Sequence, residues 1–244
     1  LRYFIELAYN GKSYHGWQVQ PDAITVQEKI NKAISTVLRE EISIVGAGRT
    51  DAGVHASQMY AHFDTDKKLD DNFAFRLNSI LPDDIVIFNT KLVHNEAHAR
   101  FDASSRSYEY KIWLGRNPFL LDSSWQLYNQ KLNLDLMNQA AAILYEYEDF
   151  ECFSKVKTEV YTFNCNVTNA EWVLNGNELT FHISANRFLR NMVRAIVGTL
   201  MDVGQGKITI DDFRKIIESK NRSNAGTSVP AKGLFLTKVA YDYI

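Results

Sequence analysis

Residues 46–56 read GAGRTDAGVHA and gather three glycines, one arginine, one threonine, one aspartate and one histidine between two runs of strand character. Glycine lets backbone approach a ligand closely, and Arg49 and Asp51 set opposite charges two residues apart. A single carboxylate in such a segment can work as a nucleophile or as a base; the ordinary alternative is a turn aspartate that bonds its own backbone. Phosphate binding fits poorly. The spacing of Gly46, Gly48 and Gly53 misses G-x-G-x-x-G, no Gly-Lys-Ser/Thr follows, and residues 57–65 alternate with strand period, so no helix N-terminus is offered to a pyrophosphate.

GAGRTDAGVHA closely resembles the catalytic segment of the tRNA pseudouridine synthase A family, in which the aspartate falling on Asp51 is required for catalysis. Three further blocks carry the resemblance. His98, Ala99, Arg100 and Phe101, followed by Arg106, Tyr108 and Tyr110, are similar to the family's H-A-R-F…R-x-Y-x-Y; Met192 to Leu200 matches M-V-R-x-I/V-V-G-x-L; and residues 229–236 resemble A-P-A-x-G-L-Y-L with changes at Val229 and Phe235. The likeness runs from about residue 3 to residue 241 and weakens at 155–167, where Thr162-Phe163 and Asn164-Cys165 stand in place of a Thr-Pro and an Arg. RNA contacts from that loop are therefore not carried over.

The resemblance implies isomerisation of uridine to pseudouridine in tRNA, at positions 38 to 40 of the anticodon arm. The N1–C1′ bond is broken, the uracil turns and C5 joins C1′. Asp51 could attack C1′, attack C6 or remove a C2′ proton, and the residues do not choose among these. Arg194 is implied to pair with Asp51 and favour its charged form. Tyr108 is implied to contact the target base and take the C5 proton, the alternative being a core tyrosine with a satisfied hydroxyl. Arg49 is implied to fill the gap left by the flipped nucleotide, against a plain salt bridge. Leu234 and Phe235 either wall the uridine pocket or close a strand. Two subunits forming one tRNA surface are implied, with no metal and no organic cofactor, since the reaction is redox-neutral and hydrolyses nothing. A non-catalytic tRNA-binding or chaperone module is the second reading; a glycosidase would want two carboxylates ~5–10 Å apart, and the loop offers one.

Several elements must position these groups. Residues 2–9 alternate as a strand. Tyr14 and Trp17 in the following loop could stack on a base, although a core lid is the better reading of Trp17. Thr25 to Glu28 spells a capping box ahead of a helix with Val26, Ile30, Ala33, Ile34, Val37 and Leu38 on one stripe. The spacing then predicts a strand over 41–48, the key loop, a strand over 57–65, a helix over 69–81 and a strand over 83–93. Tyr108, Tyr110 and Ile112 share one face of a strand, residues 115–130 read as loop, and Leu134, Met137, Ala141 and Leu144 recur at helical spacing. Asn175-Gly176 predicts the positive φ angles of a hairpin turn. A helix is expected over 186–204, placing Arg187, Arg190 and Arg194 along one stripe, either on RNA phosphate or as a solvated face. A short helix over 209–219 and a last strand complete the chain.

The fold class expected is α+β: two similar halves, 1–105 and 106–244, which the family implies share a central, largely antiparallel sheet with the catalytic cleft between them. A chain of 244 residues can bury a sizeable core. Its formal charge of −2 argues against a uniformly basic surface, so any RNA-binding Lys and Arg must be gathered on one face. Cys152 and Cys165 form no ligand or disulfide pattern and read as buried small residues. With no membrane-length apolar run and a strand-like start, a cytoplasmic protein is expected.

Overall fold

A computed structural model of the chain describes residues 1–155 and 161–244, so part of the divergent stretch 155–167 lies outside the described residues. Two compact units make up the chain: Leu1–Ser104 with Phe235–Ile244, and Ser105–Leu234. The class is α+β, as expected, and the succession strand, helix, strand, strand, helix occurs in both units.

In the first unit β1 (Arg2–Tyr9) feeds α1 (Val26–Leu38), then β2 (Val45–Gly46), β3 (His55–Asp64), α2 (Phe73–Asn78) and β4 (Ile85–Val93). Strand β1 lies antiparallel between β3 and β4, with Ile5 opposite both Ala61 and Thr90. Met59, Ala61 and Phe63 share one face of β3 with Ile5 and Leu7 of β1, while Phe4, opposite the buried His62, is buried on the other face. Trp17 and Tyr14 are buried as well, and Tyr14 donates its hydroxyl to Asp84 at 2.5 Å; neither ring is offered to a base.

Three expectations for this unit change. The strand predicted over 41–48 shrinks to Val45–Gly46, because helix side chains take the bonds a neighbouring strand would have made. Ile42 N–H donates to Ser35 Oγ (2.9 Å), Ile44 N–H donates to Asn31 Oδ1 (3.0 Å), and Gln27 Nε2 donates to Ile44 O (2.7 Å). Helix α2 starts at Phe73 rather than 69, since Asp70 turns the chain by accepting from Asn72 N–H at 3.0 Å. Thr25 caps α1 through Glu28 N–H, but the two-way capping box closes instead at Thr209 and Asp212.

The second unit holds β5 (Ser105–Leu114), β6 (Trp125–Leu127), α3 (Leu134–Ala142), β7 (Val167–Asn175), β8 (Glu178–Ala185), α4 (Met192–Gly204) and α5 (Ile210–Glu218). Strand β8 lies antiparallel between β5 and β7, and β6, unforeseen in the loop-like 115–130, runs parallel to β5. The hairpin turn sits one residue later than predicted. Asn175 stays in the ladder opposite Glu178, and the positive φ of +59° falls on Gly176 alone. The last strand, β9 (Leu234–Ala240), runs parallel to β3 through Phe235 and Leu236, so it joins the first unit and not the half to which chain order assigns it. Both cysteines are buried, and burial pushes the thiols up to about 12 for Cys152 and about 11 for Cys165. Among the described residues no helix is long and apolar enough to cross a membrane.

One buried histidine makes the first unit acid-sensitive. His62 Nδ1 accepts the Ala99 N–H at 3.1 Å, and burial, aided by the Arg2 charge, lowers its pKa to about 4. The unfolded value is near 6.5, so below that pH the unfolded chain takes up a proton that the fold refuses. Its contribution is whole above pH 6.5 and is lost as pH falls toward 4, by about 3 kcal/mol at most. Urea unfolding at pH 7.5 and pH 5 should show a smaller acid loss in His62→Gln than in the unaltered protein; equal losses would contradict this.

Candidate active site

The loop between β2 and β3 is clamped by the segment that follows β1. Trp17 N–H donates to Thr50 O (3.2 Å), Gly53 N–H donates to Tyr14 O (3.3 Å), and Val54 N–H closes a turn onto Asp51 O (3.1 Å). The hydroxyls of Tyr9 and Thr50 meet at 2.7 Å, and Gly11 N–H donates to His55 Nδ1 at 3.0 Å. Two glycines permit the approach. A Cβ on Gly11 would lie 2.0 Å from Val54 O, and Gly16, at φ +88°, would bring one to 2.5 Å from Thr50 O. Thr50, Val54 and His55 are thus buried, whereas Asp51 between them is half-buried and Arg49 is exposed. The loop is a rigid frame that presents two charged side chains, the preorganisation that catalysis or recognition requires.

His55 was visible in the sequence only as one polar residue of the motif. Its ring stacks on Phe235 at 4.6 Å and 21°, so Phe235 packs against the base of the loop. Leu234, beside it, is buried in the second unit. Gly11→Ala should push the Val54 carbonyl out of place, costing ~1–3 kcal/mol of stability by overpacking. Turnover should drop at least ~10-fold, because small misplacements of a reacting group are costly. Thermal melting and initial rates check this, and an unchanged rate would show that the clamp does not govern the loop.

In the second unit, β5 presents Tyr108 and Tyr110 on one face. Tyr110 is completely buried and donates to Pro230 O at 2.8 Å; burial pushes its phenol well up, opposed by the Arg194 charge nearby. Tyr108 is half-buried opposite Ile183, with the Phe188 ring edge-on at 5.1 Å. Of the two phenols, Tyr110 is the core tyrosine and Tyr108 the one with solvent access.

Helix α4 does not carry the predicted arginine stripe. It begins at Met192, after Asn191 in the left-handed region at φ +66°, so Arg187 and Arg190 belong to the irregular segment before it and share no helical face with Arg194. Arg187 is half-buried and its charge acts on the Cys165 thiol; Arg190 is exposed, and its carbonyl accepts Lys155 N–H at 3.0 Å. Arg194 is half-buried, and its Nε donates to Val229 O at 2.7 Å while Val229 N–H returns a bond to Arg194 O at 3.2 Å. That pairing fixes the plane of the guanidinium. Arg49 and Asp51 therefore lie on one loop of the first unit, and Tyr108, Arg187, Arg190, Arg194 and Leu234 lie in the second.

A family model described as tRNA pseudouridine synthase matches residues 140–242. The chain is 51% identical to a tRNA pseudouridine synthase A of Bacteroides thetaiotaomicron, over 98% of this chain and 90% of that protein. It is 50% identical to one from Parabacteroides distasonis, covering 98% and 96% of the two chains, and 41% identical to one from Clostridium acetobutylicum, covering 97% and 98%.

Proposed function

The chain belongs to the tRNA pseudouridine synthase family, and from that premise we propose that it converts uridines 38 to 40 of the tRNA anticodon arm to pseudouridine, with Asp51 as the catalytic carboxylate. The observation that carries the reading is the clamped loop, which buries Thr50, Val54 and His55 and leaves the Asp51 side chain half-exposed. Asp51 acts on the ribose or the base of a uridine lifted from its stack, with Arg194 as its charge partner. Tyr108, half-buried where Tyr110 is locked in the core, takes the C5 proton directly or through water.

Arg49, exposed on the same loop, takes the place of the flipped nucleotide and so offsets the few kcal/mol of unstacking. Arg187 and Arg190 meet tRNA phosphates from the segment ahead of α4, and Leu234 walls the uridine pocket. The protein works as a homodimer in the cytoplasm. Mapping pseudouridine in tRNA from cells lacking the protein tests the reading. Loss at positions 38 to 40 alone supports it, and an unchanged profile rejects it.

A further inference from the structure

The segment between α5 and β9 is laid along α4 and held there at several points. Gly226 N–H donates to the buried Thr199 Oγ1 at 2.9 Å, and a Cβ on Gly198 would meet Thr227 O at 1.9 Å, so loop and helix touch backbone to backbone. At the start of the helix Asn191 Nδ2 donates to Ser228 Oγ at 2.6 Å. The next residue, Val229, then binds Arg194 by both its N–H and its carbonyl. One side chain gathers the loop. Arg222 Nη1 reaches Ala225 O (3.4 Å) and Gly226 O (3.2 Å), and its Nη2 donates to Ser228 Oγ at 2.9 Å.

We infer that Arg222 is a positioning residue for Arg194: by tying Ala225, Gly226 and Ser228 into one turn, it sets where the Val229 carbonyl stands and therefore how the Arg194 guanidinium is turned. The inference rests on the reading of Arg194 as partner of the catalytic carboxylate. A planar fork suits this task because it reaches three acceptors in a fixed geometry, which a lysine ammonium on a flexible stem does not reproduce. Ser228 is the joint of the device, since its oxygen receives both the Arg222 and the Asn191 donors.

Single-turnover and steady-state rates on tRNA test this in Arg222→Lys, Ser228→Ala, Arg194→Lys and the double variant Arg222→Lys/Arg194→Lys, each checked for an intact melting transition. Arg222→Lys should lower kcat ~10- to 50-fold, with KM for tRNA within about twofold, because a misaimed group costs rate and not binding. Ser228→Ala, the milder change, should lower kcat ~5-fold by the same route. In the Arg194→Lys background, Arg222→Lys should add less than ~2-fold, since residues acting through one another are not additive. A normal kcat for Arg222→Lys beside a crippled Arg194→Lys would overturn the inference alone, as would a raised KM at unchanged kcat or losses that simply multiply. A fully active Arg194→Lys would instead overturn the reading of Arg194 and the inference with it.

Discussion

Asp51→Asn protein should bind tRNA as the unaltered protein does and convert its uridine about 10,000-fold more slowly or worse. The substitution keeps the size and shape of the side chain and removes its negative charge. An amide is neither a nucleophile toward a sugar or pyrimidine carbon nor a base toward a ribose proton, so all three routes open to the carboxylate are lost together. The frame should survive. The loop is held through Thr50 O, Asp51 O, Gly53 N–H and the Tyr9–Thr50 hydroxyl pair, bonds that an amide of the same size and shape at residue 51 leaves in place. Circular dichroism and melting should therefore be unchanged while turnover vanishes. Retained activity would remove Asp51 from the mechanism.

Arg194→Lys should lower kcat by roughly 100-fold and also cost stability. The side chain donates from Nε to Val229 O at 2.7 Å, and lysine has no nitrogen at that place in the chain. Loss of the donor leaves a carbonyl of a buried residue short of its bond, at ~1–3 kcal/mol. The point charge that lysine retains lacks the fixed plane a guanidinium gives a carboxylate partner, which is where the loss of rate comes from. Rate and melting temperature should fall together, and a stability loss without a rate loss would assign Arg194 to structure alone.

Much of the frame was legible because it rests on local periodicity. Strand β3 buries Met59, Ala61 and Phe63 at every second position, and α1 buries Val26, Ile30, Ala33 and Ile34 at helical spacing, each pattern being readable from its own residues. The errors came where a distant side chain decides the backbone. Nothing between residues 41 and 48 announces that Gln27, Asn31 and Ser35 will take the bonds of a missing strand partner.

The arginine stripe failed for a similar reason. The spacing of Arg187, Arg190 and Arg194 is helical on paper, but Asn191 turns left-handed while bonded to Ser228, far along the chain. At the site, the motif carried Arg49 and Asp51 plainly. The clamp that presents them was not legible, because the close approach of Gly11 to Val54 and the seat of His55 join segments about forty residues apart. A pair of tyrosines two apart also looks symmetrical in sequence. Only the fold separates the buried Tyr110, bonded to Pro230, from the accessible Tyr108.

The central claim is that the protein rearranges a uridine and does not merely hold or cleave it. The direct measurement is release of tritium from tRNA carrying C5-tritiated uridine, followed in parallel with free uracil and with pseudouridine formed. Tritium should enter water in step with new pseudouridine at positions 38 to 40, with no uracil set free. Uracil appearing in solution, or tRNA bound with its tritium intact, would contradict the account.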